Sequence, residues 1–312
     1  MDIHVTHVTT RSCTHNGLPL AKYDQVIVTL GGAGLRAIDS RADTGRYMLV
    51  RRKARQMLNS LAGKIALVTG ASKGVGKGIA LELAKAGCDV AVNYNRDEAG
   101  ACATVDEILG FGRKAIAVAG DVSQSAQVGR MFGQVLAAFG RLDVLVNNAG
   151  IQTWKPLLEL AEADWDRVLA TNLKGAFLCT QQAARHMQTD GGAIINIGSG
   201  CNKWPFPNLV DYTASKGGLE MFTKIAAVEL GPYRIRVNCV APGAIEIERT
   251  KQELGDYAAT WSNLTPLGRI GTPRDVGMAV VFLASEAASF ITGQTIWVDG
   301  GLYTRPVWPR EQ

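Results

Sequence analysis

The chain has 312 residues, 47% of them hydrophobic and 20% charged, which is typical of a globular enzyme with a large core. No stretch approaches the roughly 18 consecutive apolar residues of a membrane-spanning helix, and the polar start lacks the apolar run of a secretory signal. We therefore expect a cytoplasmic protein with no membrane partner. Residues 1–60 carry nine Lys/Arg against four Asp/Glu, which accounts for the whole net charge of +5, and the neutral remainder indicates no nucleic-acid partner.

The six cysteines are scattered and lack metal-ligand spacing, which favours free thiols in a reducing compartment. His4, His7, Cys13 and His15 lie close together near the start of the chain. We interpret them as chance clustering in an irregular segment, so no metal site is predicted.

The sequence changes character near residue 57. Residues 1–56 are irregular, with one strand-like run at 25–30 and a glycine-rich run after it that no amphipathic helix follows, a weak nucleotide signal. We predict an N-terminal appendage of unknown role at 1–56 and a Rossmann-fold domain at 57–312. Two interpretations of the appendage stay open. It is either a segment with an interaction or targeting function or, as we favour, a disordered or non-native extension upstream of a natural start at Met57.

Strand and helix patterns alternate from residue 57 onward. Helical spacing of apolar residues marks 78–86, which ends at Gly87, and a further helix is expected at 99–109. Such alternation predicts an α/β fold with a doubly wound, mostly parallel seven-stranded sheet and helices on both faces. Ligands bind at the carboxyl ends of the strands in such folds, so the chemistry belongs in the loops there. The seven predicted strands are 64–69, 89–94, 114–119, 144–147, 193–197, 235–241 and 294–298.

A glycine-rich turn joins the first of these strands to a helix. Its glycines permit a tight turn and let the backbone approach a pyrophosphate at the helix N-terminus, where unpaired N–H groups favour an anion. The strand before it and the helix after it make this a specific dinucleotide signal. The turn reads Gly70, Ala71, Ser72, Lys73, Gly74, Val75 and Gly76.

The choice of dinucleotide depends on the tip of the second strand. An acidic residue there would bind the ribose 2′-hydroxyl of NAD, and a basic residue the 2′-phosphate of NADP. The strand ends in Asn95 and Arg96, and Lys73 adds a second positive charge. Asp97 and Glu98 follow but suit the first turn of a helix. We predict NADP(H) as the preferred cofactor, with NAD(H) use left open.

Two further loops fit the same site. Asp121 and Val122 follow the third strand, where a carboxylate can meet the adenine amino group. Asn148, Ala149 and Gly150 follow the fourth, where small residues allow close backbone contact with a ribose. Either loop alone is equally compatible with a plain turn, because Asn and Gly are turn residues.

Tyr212 and Lys216 lie four residues apart at the start of a helical segment and so share one face. Hydride transfer to a carbonyl carbon requires a proton to move at the oxygen. A free tyrosine, with a pKa near 10, is a poor base, and a nearby ammonium lowers that pKa. Ser199, after the preceding strand, can hydrogen-bond the substrate oxygen. Asn172 can organise a water that relays protons from Lys216.

These motifs together resemble the short-chain dehydrogenase/reductase family over about four-fifths of the chain. The motifs are TGASKGVG, NNAG, TNLKGAF, the spacing from Ser199 to Tyr212, YTASK and the Pro242-Gly243 turn. The resemblance implies Tyr212 as acid/base, Lys216 binding the nicotinamide ribose, Ser199 orienting substrate and Asn172 in a proton relay. It also implies a homotetramer.

The stretch from Trp204 to Pro207, the segment Pro242, Gly243, Ala244 and Ile245, and the tail 298–303 are similar to glucose 1-dehydrogenases. A 3-oxoacyl-acyl-carrier-protein reductase is the alternative. The resemblance adds Pro242, Gly243 and Ile245 to the expected cofactor contacts, beside Tyr212 and Lys216. The family often carries Thr where this chain has Ile247, which puts one nicotinamide contact in doubt.

The substrate is expected between Ser199 and a lid that follows Ile245. Gln152, Cys201 and Trp204 are placed to line this pocket, although aromatic residues here serve equally well as core or subunit contacts. The polar lid favours a small hydroxylated alcohol or carbonyl, such as a sugar. A dinucleotide-binding sensor without turnover is a further hypothesis, disfavoured because the whole catalytic set is present.

Overall fold

The computed structural model describes residues 60–248, 250 and 256–304, together with the backbone of residues 3–8 and 25–30. The chain divides into two compact units, residues 1–58 and 59–312. In the first unit, β1 (Ile3–Val8) pairs antiparallel with β2 (Gln25–Leu30). Of these two strands, the sequence predicts only β2. Cys13 and His15 lie outside the described residues, as do the side chains of His4 and His7.

The second unit contains the predicted seven-stranded sheet, and every neighbouring pair of its strands is parallel. The strand order is β5-β4-β3-β6-β7-β8-β9, so the chain winds outward in both directions from the centre. The strands are β3 (Ile65–Val68), β4 (Asp89–Tyr94), β5 (Ala115–Ala119), β6 (Val144–Asn147), β7 (Gly192–Ile197), β8 (Ile235–Pro242) and β9 (Thr295–Val298).

Helices cover both faces of this sheet. Within the described residues they are α1 (Gly74–Lys85), α2 (Glu98–Gly110), α3 (Ser125–Phe139), α4 (Glu162–Leu169), α5 (Gly175–Met187), α6 (Val210–Leu230), α7 (Tyr257–Leu264) and α8 (Pro273–Ala284). A single π-helical turn, Ala170–Lys174, joins α4 to α5.

The core lies on the two faces of the sheet, and β3 shows why. All four of its residues are buried, but side chains of a strand alternate between faces. Ala66 and Val68 therefore join one hydrophobic cluster, with α1 and α8, while Ile65 and Leu67 join the other, with α3 and α5. A strand buried on both sides needs a continuous apolar run, which is what the sequence supplies.

All seven strands end at one edge of the sheet, and the loops that follow them meet there. In the part of the chain that the structure describes, no helix is both long and apolar enough to cross a bilayer. The same residues contain no group of three or more His, Cys, Asp or Glu that is able to hold a metal ion.

Candidate active site

The glycine-rich turn connects β3 to α1. Gly70 and Gly74 adopt φ values of +61° and +58°, a region that side chains rarely tolerate. A Cβ added at Gly76 would lie 2.3 Å from the Gly70 carbonyl oxygen and 2.4 Å from Asn148 Nδ2. The turn is thus packed so closely that only glycine fits at position 76. The first N–H groups of α1, which lack partners within the helix, lie beside the open space above it.

Thr69 and Asn148 hold this turn against the loop after β6. Thr69 Oγ1 accepts hydrogen bonds from the backbone N–H groups of Asn148 and Ala149, at 2.9 and 3.0 Å. Asn148 Nδ2 donates to the Thr69 and Gly70 carbonyl oxygens, at 2.9 and 3.0 Å. The Asn148 amide group therefore shapes the turn, and Ala149 and Gly150 are left beside the cleft.

Asn93, near the end of β4, has a role that the sequence does not predict. Its Oδ1 accepts from the Gly70 N–H at 3.1 Å, and its Nδ2 donates to the carbonyl oxygens of Val118 and Gly120 at 3.2 and 3.0 Å. This buried amide joins the ends of three adjacent strands. The available signal was a polar side chain inside an otherwise apolar buried strand, because such a group must find partners.

These turns open onto a single cleft of about 1420 Å³. Most of the residues predicted to contact a cofactor line it, and Tyr212, Lys216, Pro242, Gly243 and Ile245 do not. The predicted residues on the lining are Gly70, Ser72, Lys73, Gly74, Val75, Gly76, Asn95, Arg96, Asp121, Val122, Asn148, Ala149 and Gly150. The lining also includes residues that were not predicted, among them Tyr94, Ile151 and Thr171.

Charged groups gather at the β4 end of the cleft. Asp97 is the N-cap of α2, and its Oδ1 accepts from the Gly100 N–H at 3.1 Å. That bond, with a further one from the Ser72 side chain and the charge of Lys73, holds the pKa of Asp97 below its usual value. Asp97 therefore serves α2 as a carboxylate cap, as the sequence predicts, while Lys73 and Arg96 stay exposed on the lining.

Pro242 ends β8 beside β9, Gly243 follows it, and Ile245 lies two residues further on in a bridge to Gly271. None of the three lines the cleft. The Gly243 N–H donates to the Val298 carbonyl oxygen at 3.0 Å, and a Cβ at Gly243 would come within 2.8 Å of Asp299 Cα. Ile247 is on the lining, and its side chain packs over Gly74. An apolar side chain thus stands where the family resemblance implies threonine.

Lys216 is held in an unusual position for a lysine. Its side chain is buried, its Nζ donates to the Ile197 carbonyl oxygen at 2.7 Å, and Nζ lies 5.5 Å from the centroid of the Tyr212 ring. Burial lowers the pKa of Lys216 from 10.5 to about 8 because the charged form loses its water. The bond to Ile197 ties α6 to the end of β7 and so brings the Tyr212 face of α6 to that strand.

Ser199 follows β7 in extended backbone and begins a short turn. Its Oγ accepts from the Cys201 N–H at 3.3 Å, and its own N–H donates to Asn202 Oδ1 at 3.2 Å. Asn202 in turn donates to Glu220 on α6 at 3.1 Å. The loop that carries Ser199 is therefore fastened to the helix that carries Tyr212 and Lys216.

Asn172 lies in the π-helical turn and is buried. Its Oδ1 accepts from the Ile151 N–H at 2.8 Å, while its Nδ2 donates to the Ile151 carbonyl oxygen at 2.8 Å and to Ser215 Oγ at 3.0 Å. Ser215, another residue missed in the sequence, donates to the Tyr212 carbonyl oxygen at 2.7 Å. A Cβ at Gly150 would lie 3.4 Å from Asn172 Oδ1 and 3.7 Å from Lys216 Nζ, so these three residues meet.

The predicted substrate residues lie in two loops at the carboxyl edge of the sheet. Cys201 is buried next to Ser199, Trp204 is half-buried, and Gln152 is half-buried in the loop after β6. Tyr303, from the far end of the chain, packs on the loop that carries Ser199 and Trp204. Its ring centroid lies 5.4 Å from that of Trp204. Tyr303 was noticed in the sequence only as part of a motif.

The arrangement fits a dinucleotide. Bare helix N–H groups and crowded glycines stand at the middle of the cleft, positive side chains at one end, and the loop of Gly150, with Asn172 and Lys216 behind it, at the other. The first feature suits a pyrophosphate, the second the adenosine end of the molecule, and the third a ribose next to reacting atoms.

Comparisons with known proteins agree with this geometry. A family model described as enoyl-(acyl carrier protein) reductase matches residues 70–303. A hydroxynaphthalene reductase-like protein Arp2 of Metarhizium brunneum is 39% identical over 259 residues, 78% of this chain and 97% of that protein. The 3-oxoacyl-[acyl-carrier-protein] reductase FabG of Staphylococcus aureus is 44% identical over 241 residues, 77% of this chain and 98% of that protein. A solved short-chain dehydrogenase/reductase from Serratia marcescens superposes with a TM-score of 0.74 at 38% identity, covering 78% of this chain and 99% of its own. The chain is therefore an oxidoreductase of the short-chain dehydrogenase/reductase family, whose members use a nicotinamide dinucleotide.

Proposed function

We propose that the protein catalyses reversible hydride transfer between NADP(H) and a small alcohol or carbonyl, with a sugar alcohol group as the leading substrate class. The observation that carries this proposal is the buried Lys216 ammonium, 5.5 Å from the centre of the Tyr212 ring and bonded to the end of β7. Keeping a buried lysine beside a tyrosine costs stability, so a chemical use for the pair explains it better than packing does.

The bound nicotinamide would supply or accept the hydride. In the reductive direction Tyr212 Oη gives its proton to the substrate oxygen, and in the oxidative direction it takes that proton away. The Lys216 ammonium stabilises the phenolate that results. Ser199 Oγ accepts from Cys201, which leaves its own proton to hold the substrate oxygen beside Tyr212.

In this proposal Asn172 both takes part in a proton relay and supports helix α6. Both of its amide protons are engaged by Ile151 and Ser215. A relay water from Lys216 would therefore bind the second lone pair of Asn172 Oδ1, on the side of Gly150. Through Ser215 the same side chain steadies the first turn of α6, on which Tyr212 lies.

The preference for NADP(H) over NAD(H) rests on the charges at the β4 end of the cleft. Lys73 and Arg96 are exposed there, and Asp97 is engaged as the cap of α2. A ribose 2′-phosphate would find two cations, whereas a free 2′-hydroxyl would find only Asp97, a carboxylate already engaged by the Gly100 N–H.

A 3-oxoacyl-acyl-carrier-protein reductase is the second candidate, favoured by the 44% identity to the Staphylococcus aureus reductase. A dinucleotide-binding sensor without turnover is the third, and it is disfavoured because Ser199, Tyr212 and Lys216 are all present. We also propose that residues 57–312 carry the activity, so that a chain beginning at Met57 keeps its fold, assembly and turnover.

We further propose a cytoplasmic homo-oligomer, a tetramer in the first instance. On α6, Met221, Ile225 and Val228 form an exposed apolar stripe at helical spacing, and Met278 and Phe282 do the same on α8. Charged substitution of Ile225 should lower the mass measured by light scattering if the α6 stripe is an interface. An unchanged mass would remove α6 from the assembly.

Absorbance at 340 nm tests the proposed activity. Purified protein would be mixed with NADP or NAD and glucose, other sugars or polyols, and with the reduced cofactors and short 3-oxoacyl thioesters. Sugar turnover that depends on Tyr212 supports the leading assignment, and turnover of 3-oxoacyl thioesters alone moves the protein to the second. Tight cofactor binding with no turnover on an extended panel would favour the sensor.

A further inference from the structure

The ring of Tyr303 lies directly on the loop that carries Ser199. A Cβ added at Gly200 would come within 2.0 Å of Tyr303 Cζ and Oη. Position 200 therefore has to be glycine for the ring to sit there, one residue from the side chain proposed to hold the substrate oxygen. Tyr303 itself is buried, with 6% of its surface exposed.

A turn after β9 delivers Tyr303 to this place. Asp299 Oδ1 accepts from the Gly301 N–H and its Oδ2 from the Tyr303 N–H, both at 2.9 Å. Gly300 and Gly301 take φ values of +61° and +88°, which permit the sharp change of direction. The position of the ring is thus fixed by a built turn rather than by a loose chain end.

Five further aromatic side chains extend the surface of Tyr303. Ring centroids are 5.4 Å apart for Trp204–Tyr303, and 6.1 Å apart for both Trp297–Tyr303 and Tyr257–Trp261. Phe206 links the two ends, at 6.0 Å from Trp261 and 6.5 Å from Tyr303. We call these six residues the aromatic wall. Apart from Tyr303 they are only half-buried, so their rings keep open surface.

The wall adjoins the reacting groups. Burial raises the pKa of Tyr303, and Cys201, Tyr257, Asp299 and Tyr212 lie close enough to raise it further. The Tyr303 hydroxyl therefore shares its surroundings with the tyrosine proposed to move the proton. Trp297 lies in β9 itself, and the other members follow β7, β8 or β9, whose ends all lie at the carboxyl edge of the sheet.

We propose that the aromatic wall selects substrates whose reacting carbon lies in or next to a planar ring, and that Tyr303 is its specificity-determining residue. This inference rests on the proposed hydride transfer, and within that reaction it favours an aryl alcohol or ketone over the sugar alcohol named above. Aromatic rings attract one another in edge-to-face and offset arrangements with centroids 4.5–7 Å apart. A ring-bearing substrate would join the wall in the same geometry, whereas an open chain presents neither a face nor a ring edge.

Binding and turnover should be measured separately. In the presence of oxidised cofactor, calorimetry would give the affinity of 2-naphthol, a ring-bearing probe, and of 2-octanol, an open-chain one. With reduced cofactor, absorbance at 340 nm would follow 1-tetralone, whose carbonyl carbon is bonded to a planar ring, and 2-octanone. The variants are Tyr303→Ala, Tyr303→Phe, and Tyr233→Ala as a matched control on a half-exposed tyrosine at the other edge of the sheet.

Wild type should bind 2-naphthol more tightly than 2-octanol. Tyr303→Ala should weaken 2-naphthol binding and raise the 1-tetralone KM by roughly tenfold, with kcat and the 2-octanone KM changed less than about threefold. Tyr303→Phe should keep the ring preference, and Tyr233→Ala should match wild type. Cofactor affinity and the thermal midpoint report whether each variant is folded.

Three results would overturn the inference: equal affinity of wild type for both probes, equal losses for ring and open-chain compounds in Tyr303→Ala, or no loss at all. Equal losses would mean that Tyr303 only packs the loop. These outcomes are separable from failure of the proposed function. Selective 2-naphthol binding without turnover of any ketone would support the aromatic wall and count against hydride transfer. Equal turnover of ring-bearing and open-chain ketones would support hydride transfer and count against the aromatic wall.

Discussion

The two sides of the active-site region are built on different principles. The cofactor side uses backbone and small residues, with Gly70 and Gly76 crowded against the loop after β6. The proposed substrate side uses large side chains, among them Trp204 and Tyr303, brought together from loops far apart in the chain. A pyrophosphate needs close backbone approach and tolerates no Cβ, whereas a substrate pocket gains its shape from side chains. Changes on one side should therefore leave the other largely intact.

Tyr212→Phe should have the largest effect, and it should lower kcat while leaving cofactor binding intact. Loss of the hydroxyl removes the proton donor, and general acid–base catalysis is worth roughly 10²- to 10⁴-fold, so we expect kcat to fall about 10³-fold. Titration of the reduced cofactor by its fluorescence should give a Kd within about threefold of wild type. A Kd that rises as steeply as kcat falls would show that Tyr212 belongs to cofactor binding instead.

Gly76→Ala should instead impair cofactor binding. The added Cβ would lie 2.3 Å from the Gly70 carbonyl oxygen, so the turn must open and the dinucleotide Kd should rise roughly 100-fold. Gly129→Ala on α3 is the matched control, because no atom lies within 4 Å of the new Cβ. That variant should bind normally and gain up to about 1 kcal/mol of stability. Normal binding by Gly76→Ala would contradict the close-packed turn.

Lys216→Met should remove activity and stabilise the fold. The pKa of Lys216 in the folded protein is about 8, below its ordinary 10.5, so the unfolded chain holds more protons between those values. The cost of burying the charge is present in full below pH 8, fades as pH rises from 8 to 10.5 and is absent above. The variant should therefore exceed wild type by about 1–2 kcal/mol in the free energy of unfolding at pH 7, after allowance for the lost bond to Ile197.

Urea unfolding at pH 7 and pH 10 measures this difference, which should shrink at the higher pH. Lys224→Met on the same helix is the control, since Lys224 pairs with Glu220 on the surface at 3.3 Å. It should change stability by less than about 1 kcal/mol at either pH. If the difference in free energy of unfolding between Lys216→Met and wild type does not depend on pH, ordinary packing and not the buried charge explains it.

Arg96→Ala should have the smallest effect, and one limited to the choice of cofactor. The loss of one cation from the β4 end of the cleft should weaken NADP(H) binding roughly tenfold and NAD(H) binding less than twofold. Arg113→Ala is the control, because Arg113 bonds to the carbonyl oxygens of Gly112 and Gly87, away from the cleft. Equal losses for both dinucleotides would remove Arg96 from the recognition of the 2′-phosphate.

The seven-stranded sheet could be predicted because its signals are local. The strands are short apolar runs separated by helical patterns, and each predicted strand agrees with the observed one to within two residues at either end. The glycine turn was equally readable, since its spacing between strand and helix is itself the signal.

The parts that were missed depend on contacts between distant residues. Asn93 joins three strand ends, Ser215 connects Asn172 to the first turn of α6, and Tyr303 rests on Gly200 about a hundred positions earlier. No periodicity in the chain records such contacts. The polar side chain inside β4 was the one local clue, because a buried amide must be satisfied by neighbours that the sequence does not name.

Deuterium transfer is the most direct test of hydride transfer at this site. The protein would be incubated with NADPH deuterated at both C4 positions and with the ketone or 3-oxoacyl thioester that it reduces best, and the product analysed by mass spectrometry and NMR. The account predicts a single deuterium bound to the former carbonyl carbon, and no such product with Tyr212→Phe over the same time. A reduced product without carbon-bound deuterium, or unchanged product formation by Tyr212→Phe, would contradict it.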